Sequence, residues 1–147
     1  MRRFSFSLGS VLEFRRRQLE IVESRLSEVS RSQSGLRELA ATRRRQSLLA
    51  VAGLPHTPAL SGAELRATEH WLTRLEDEHR GALEAAQGLE RDRQRCLREM
   101  IEMRRKVKLL ERLRSRKLGT YLRDLDREQE AQAAEFHLAR RVRERQG

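Results

Sequence analysis

The sequence predicts an all-α fold, a long antiparallel two-helix coiled-coil hairpin with unequal arms and a single-helix C-terminal overhang. Apolar residues repeat every seven positions on both sides of one interruption, and both prolines, Pro55 and Pro58, fall within it. With 37% charged and only 4% aromatic residues, the chain is too polar for a compact globular core and typical of long helices. We therefore expect a single domain over residues 1–147.

The first arm is predicted to be a helix over residues 7–51. Its apolar positions form two rows that alternate by four and three residues, which are the a and d positions of a coiled coil and are called the seam below. The seam of this arm contains Leu8, Leu12, Arg15, Leu19, Val22, Leu26, Val29, Gln33, Leu36, Ala40 and Arg43. Arg15 and Arg43 fit because an arginine stem can lie along apolar surface with its charged head in water.

The bend is predicted over residues 52–61. Proline lacks a backbone donor and clashes with the preceding turn, so the first helix must stop here. Gly53 suits a left-handed cap at the end of that helix, and Ser61 suits the N-cap of the next one.

The second arm is predicted to be a helix over residues 62–145 with a seam of its own. That seam contains Leu65, Leu72, Leu75, His79, Ala82, Ala86, Leu89, Arg93, Cys96, Met100, Met103, Val107 and Leu110. Gly81 and Gly88 each cost about 1 kcal/mol relative to alanine, so the helix depends on pairing more than on propensity. We expect the hairpin seam to be held mainly by Leu12, Leu19, Val22, Leu26, Val29, Leu36, Leu75, Leu89, Met100 and Val107.

A tight bend fixes the expected register of the two arms. It places Leu36 opposite residues 78–82, Val22 near Arg93 and Leu12 near Met103. Pairing then ends near Leu110, where the overhang begins. Beyond it the stripe Leu118, Leu122, Leu125, Gln129, Gln132 and Phe136 slips by about one residue, which changes a supercoil locally.

The formal net charge is +10, which indicates an acidic partner or surface. Residues 104–147 contribute +7 of it, so the positive field is expected at the free end. Nucleic acid, an anionic membrane and an acidic protein are all compatible with this charge. Interleaved glutamates and the scarcity of aromatic residues favour a solvated helix face over a nucleic-acid groove. The interrupted seam excludes a basic-zipper factor.

No catalytic motif is present, and we expect no enzyme activity, cofactor or metal. The glycines form no phosphate-binding loop. His70, His79 and Glu76 would supply too few ligands for a structural zinc site, which needs four. Cys96 lies in the seam and reads as a small apolar filler.

The start of the chain resembles a secretion signal only briefly, because serines, Glu13 and residues 15–17 interrupt its apolar run. No stretch reaches the roughly 20 apolar residues that a membrane span needs. A single cysteine fits a reducing compartment. We therefore expect a cytoplasmic protein.

Trp71 lies beside the seam just after the bend. A tryptophan there can cover the flank of the seam or anchor a partner protein, and the sequence favours neither.

Two segments resemble the FliJ family of the bacterial flagellar type III export apparatus. The first runs from Arg3 to Leu8 with alternating Phe4 and Phe6, followed by Val11, Leu12 and Arg15. The second contains Leu110, Glu111, Arg112, Leu113, Arg116, Lys117, Tyr121, Arg127, Glu128, Gln129, Glu135 and Phe136. The spacing from Tyr121 to Glu128 is about one residue shorter than the family form, and Gly119 interrupts the helix formers.

The resemblance implies a non-enzymatic stalk that inserts into the hexameric flagellar export ATPase and contacts an export gate membrane protein and export chaperones. It implies peripheral association with the inner membrane through these partners. We expect the ATPase ring to contact Leu110, Arg112, Leu113, Arg116, Lys117, Tyr121, Arg123, Glu128 and Gln129. We expect the gate or chaperones to contact Trp71, Leu72 and Leu75. The equivalent stalk of a virulence type III system and a basic coiled coil that binds nucleic acid remain alternatives.

Overall fold

The computed structural model describes residues 3–54 and 60–147 of the chain. Two helices contain almost all of them: α1 spans Gly9–Ala52 and α2 spans Gly62–Gln146. The described residues include no strand, and the two helices pack against each other. The predicted all-α hairpin is confirmed, and the helix bounds lie within two residues of the predicted 7–51 and 62–145.

The end of α1 differs from the predicted cap. Pro55 and Pro58 lie in residues 55–59, outside the described residues. Before them, the Gly53 amide donates to the Leu49 carbonyl at 2.9 Å and the Leu54 amide to the Val51 carbonyl at 3.2 Å. No described glycine has a positive φ. The left-handed cap predicted at Gly53 is therefore wrong, because Gly53 extends the helical hydrogen-bond pattern instead.

The start of α2 is a capping box, as the serine before it predicts. Ser61 Oγ accepts a hydrogen bond from the Glu64 amide at 3.3 Å, and Glu64 Oε2 accepts one from the Ser61 amide at 2.8 Å. The Ser61 amide is the main reason that the pKa of the Glu64 carboxyl lies below its ordinary value. The predicted N-cap at Ser61 is confirmed.

The chain divides into two compact units. The central unit is Glu20–Ile101, and the terminal unit combines Met1–Leu19 with Glu102–Gly147. In the described part of the central unit the buried residues lie in the seam: Val22, Gln33, Ala40, Leu75, Ala82, Ala86 and Cys96. In the terminal unit Leu12 and Val107 are buried in the same rows. The seven-residue pattern thus identifies the buried face of both helices.

The register of the central unit is set by polar contacts across the seam. Arg43 Nε lies 2.6 Å from Glu78 Oε2, the Ala40 carbonyl accepts from His79 Nδ1 at 2.8 Å, and Arg25 lies 3.8 Å from Glu99. Val22 therefore lies past the level of Glu99, and the expected position near Arg93 is wrong.

The observed level of Leu36 overlaps the expected one, opposite residues 78–82. Ala40 already reaches His79, and Gln33 reaches Ala86, so Leu36 lies between those two levels. The prediction for Val22 assumed that both helices pair from the bend onward. Residues 62–67 of α2 are instead exposed, so pairing begins later on α2 than on α1.

Candidate functional site

The residues predicted to contact an ATPase ring all lie on α2 in the terminal unit. Leu110 and Tyr121 are half-buried, and the remaining members are exposed: Arg112, Leu113, Arg116, Lys117, Arg123, Glu128 and Gln129. The set does not share one face of the helix. Its members differ in environment because residues 3–8, called the N-terminal segment below, cover part of them.

The N-terminal segment contacts α2 through its two phenylalanines. The Phe4 and Tyr121 rings lie 5.5 Å apart with a 51° tilt, which is a favourable aromatic geometry. Lys117 Nζ lies 5.7 Å from the centre of the Phe6 ring. Sequence reasoning did not place Phe4 and Phe6 against the candidate site. Their period-two spacing was the available signal, because it indicates an extended segment with both rings on one side.

This contact moves the start of the overhang. Pairing was expected to end near Leu110 and Leu12 to lie near Met103. Instead Arg16 pairs with Glu111 at 3.0 Å and Phe6 meets Lys117, so Leu12 lies between those levels. The expected end of pairing was wrong because it left out the non-helical N-terminal segment, and the expected level of Leu12 was wrong because it counted pairing from the bend onward.

The predicted slip after Leu110 does not appear before Tyr121. Lys117 lies seven residues after Leu110, and Tyr121 lies fourteen after Val107, so both keep the seam register. Both contact the N-terminal segment. Leu118 and Leu122, which the slip would turn inward, are exposed. Beyond Tyr121 only Leu125 is half-buried, and residues 126–147 are exposed.

The distribution of charge changes with this boundary. Residues 104–121 contain eight cationic and one anionic side chain, whereas residues 122–147 contain six of each. The positive field therefore lies on the part of α2 that is paired with the N-terminal part of the chain. The expectation of excess charge on the free end is wrong, because the free end begins later than expected.

One ion-pair cluster lies at this level. Arg16 Nη2 donates to Glu111 Oε1 at 3.0 Å, and Arg16 Nη1 donates to Glu13 Oε1 at 3.1 Å. The hydrogen bond to Glu111 is the main reason that the pKa of Arg16 is raised. Exposed pairs of this kind contribute little stability, and their value here is that they show which residues of the two helices lie at one level.

The second predicted contact region lies in the central unit. Trp71 is exposed, Leu72 is half-buried and Leu75 is buried in the seam. Trp71 and Leu75 line a shallow groove with Arg43 and Glu78. Leu75 is covered by the opposing helix. A partner would therefore contact Trp71 and the exposed part of the Leu72 side chain but not Leu75.

The side chains that could bind a metal or react as nucleophiles are scattered or buried. In the described part of the chain, no three His, Cys, Asp or Glu side chains come together as a metal site. His79 is half-buried against the Ala40 carbonyl, and His70 is exposed on the solvent side of α2. Cys96 is a buried free thiol in the seam. No described helix has a stretch long and apolar enough to span a bilayer.

No protein-family model, curated protein or solved structure matches the chain.

Proposed function

We propose that the chain is a non-enzymatic stalk of the bacterial flagellar type III export apparatus. It inserts into the ring of the export ATPase, promotes assembly of the ring, and couples it to the export gate and export chaperones. The observation that carries this proposal is the strongly basic stretch 104–121 of α2, held in a two-helix unit from which α2 continues alone. The resemblance of both chain ends to the FliJ family supplies the partners.

The physical mechanism is electrostatic capture followed by mechanical coupling. Eight cations within eighteen residues attract acidic or polar loops, and such steering raises the association rate more than the final affinity. A paired coiled coil is stiffer than a single helix, so it can transmit a push or a rotation. Arg112, Arg116 and Lys117 are placed to make the first contacts with the ring because they lie in this basic stretch and are exposed.

The second proposed contact belongs to the central unit. Trp71 is exposed beside the seam and presents a large ring to a gate or chaperone surface. These partners hold the chain at the cytoplasmic side of the inner membrane. The protein itself needs no membrane segment for that position.

The test is co-purification with an export ATPase, followed by measurement of ATP hydrolysis with and without the chain. We expect the full chain to stimulate hydrolysis and Arg112→Glu/Arg116→Glu to abolish the stimulation, since it reverses the field where the ring would bind. Arg140→Glu/Arg141→Glu is the matched control in the electrically balanced segment and should retain most of it. A chain ending at Leu110 should also lose stimulation.

Unchanged stimulation by the Arg112→Glu/Arg116→Glu variant would overturn the assignment of the ring contact. Failure of the full chain to bind any export ATPase would overturn the proposed function. If the chain stimulated the ATPase of a virulence type III system but not a flagellar one, the proposed stalk would be assigned to the virulence system.

A nucleic-acid-binding role is the second candidate, because the basic stretch 104–121 could also contact phosphates. Such binding would be insensitive to sequence and would weaken steeply with salt. Electrophoretic mobility shifts with a mixed-sequence RNA at increasing salt would show it. Tyr121, the aromatic side chain of that stretch, is packed against Phe4, which leaves less scope for base stacking.

A further inference from the structure

Four large apolar side chains of the terminal unit are exposed on the two helices that form the seam. Their exposed fractions are 40% for Val11, 57% for Phe14, 64% for Leu109 and 36% for Leu113. Isolated exposed apolar residues are ordinary, but a cluster of them indicates an interaction surface.

The four residues share one flank of the terminal unit. Leu12 and Val107 occupy a positions, which makes Val11 and Leu113 g residues and Phe14 and Leu109 c residues. In an antiparallel pair the g positions of both helices lie on one flank and the e positions on the other. The e residues Arg16 and Glu111, 3.0 Å apart, mark the opposite flank. Since c neighbours g on a helix, the four apolar residues line a single face, called the apolar flank below.

The charges around the apolar flank are mainly positive, and the nearest carboxylate at one of its positions is Glu102, a c residue one turn before this stretch. Between residues 10–18 and 105–116, its c, f and g positions carry five cations and no carboxylate: Arg17, Arg105, Lys106, Arg112 and Arg116. The two carboxylates of these segments, Glu13 and Glu111, lie on the other side and pair with Arg16. Arg105 lies 3.8 Å from Glu102, one turn earlier. The flank therefore combines an apolar centre with a cationic border.

We propose that the apolar flank seats an amphipathic helix of a partner protein whose apolar face is bordered by acidic residues. The g and c side chains of the two helices form one apolar face against which a third helix can pack, and Phe14 and Leu109 supply the area that it would bury. The cationic border pairs with acidic e and g residues of the incoming helix.

Charge also argues for this occupant over a second copy of the chain. Two copies that met symmetrically by this flank would place five cations against five. The proposal rests on the proposed function in one respect, because Arg112, Leu113 and Arg116 also belong to the proposed ring contact. Val11 and Phe14 on α1 belong to the apolar flank alone.

The experiment measures binding of a synthetic three-heptad helical peptide by fluorescence anisotropy, with leucine at a and d and glutamate at e and g. We expect the full chain to bind this peptide. The Val11→Gln/Phe14→Gln variant should raise the dissociation constant at least about tenfold, because these exposed side chains form half of the apolar centre. Leu83→Gln/Ile101→Gln is the matched control, since both side chains are similarly exposed elsewhere on α2. A lysine version of the peptide should not bind.

Equal binding of both peptides, or equal binding by the Val11→Gln/Phe14→Gln variant, overturns the inference. Two other results also overturn the inference: a dimer of the wild-type chain that this variant abolishes, and sedimentation of the wild-type chain with phosphatidylglycerol vesicles that this variant abolishes. Either result assigns the flank to another occupant. A chain that binds the acidic peptide but no export ATPase upholds the flank and overturns the proposed function. The reverse result overturns the flank alone.

Discussion

At the scale of single residues, the register of the central unit depends on a polar side chain, Gln33, at a seam position that is usually apolar. Gln33 is buried in the seam, where its Nε2 donates to the Ala86 carbonyl at 3.2 Å and to Glu90 Oε2 at 2.6 Å. Glu90 also accepts from Arg93 Nη2 at 2.9 Å. A satisfied polar residue at a seam position costs stability but selects one register, because any slip leaves it unpaired.

Glu90 makes this polar layer sensitive to acid. Its hydrogen bonds, first from Arg93 and then from Gln33, lower its pKa from 4.5 to about 2. A carboxyl with a lowered folded-state pKa contributes stability that is full above pH 4.5 and is lost as the pH falls toward 2. We expect Glu90→Gln to reduce the free energy of unfolding at pH 7 and to flatten its decline between pH 4.5 and 2. Urea unfolding followed by circular dichroism at pH 7, 4 and 2.5 measures both effects.

Glu84→Gln on the exposed side of α2 is the control and should keep the wild-type slope. An acid response of Glu90→Gln that parallels wild type would show that the layer does not link folding to this proton.

The charged residues of the candidate site were predictable from the sequence, whereas its aromatic contacts were not. Arg112, Arg116 and Lys117 were identifiable because their charge is visible without a structure. Phe4 and Phe6 were not placed, since their partners, Tyr121 and Lys117, are more than a hundred residues away and both contacts follow from the register. That register depends on where pairing starts after the bend, and seven-residue periodicity leaves this open by whole turns.

At the scale of elements, three glycines at neighbouring levels of the two helices lower the helix propensity of the central unit. Gly35 lies in α1, and Gly81 and Gly88 lie in α2 close to the level where Gln33 and Ala40 contact that helix. A Cβ added at any of the three meets nothing within 4 Å. No steric reason requires glycine at these positions, and each lowers helix propensity by about 1 kcal/mol relative to alanine.

We expect Gly35→Ala, Gly81→Ala and Gly88→Ala each to raise the free energy of unfolding by up to about 1 kcal/mol, because alanine restricts the unfolded chain and enters open space. Thermal unfolding followed by circular dichroism measures the gain. Gly53→Ala is the matched control and should give no gain, since its Cβ would lie 3.3 Å from the Leu49 carbonyl. A loss of stability at two of the three positions would mean that these helix faces are covered in solution.

The elements themselves were predictable because their cause is local. Heptads define the buried face, two prolines interrupt it, and Ser61 with Glu64 starts α2, so existence and bounds followed from sequence. The end of α1 was not predictable in the same way. A glycine there permits a left-handed cap without requiring one, and Gly53 instead donates to Leu49 as a helical residue does.

At the scale of the whole molecule, positive charge and unpaired helix belong to different parts of α2. The stretch 104–121 carries the excess cations and is paired, whereas residues 126–147 are exposed and electrically almost balanced. A partner attracted by charge would therefore meet α1 as well as α2. The exposed part must be stabilised by local terms, such as the Arg140–Glu144 pair at 2.9 Å, which are individually small.

Most helical stability in proteins comes from packing an apolar face, and the exposed residues 126–146 have no such packing. We therefore expect amides of residues 126–146 to exchange hydrogen far faster than those of residues 96–118, which lie on the same helix but face a partner. Hydrogen exchange measured by mass spectrometry on the full chain tests this, with 96–118 as the internal control. Equal protection of the two stretches would contradict the expectation and would mean that residues 126–146 are covered in solution. Deleting residues 126–147 should leave the exchange of 96–118 unchanged, since the stability of the paired region does not depend on the segment that follows it.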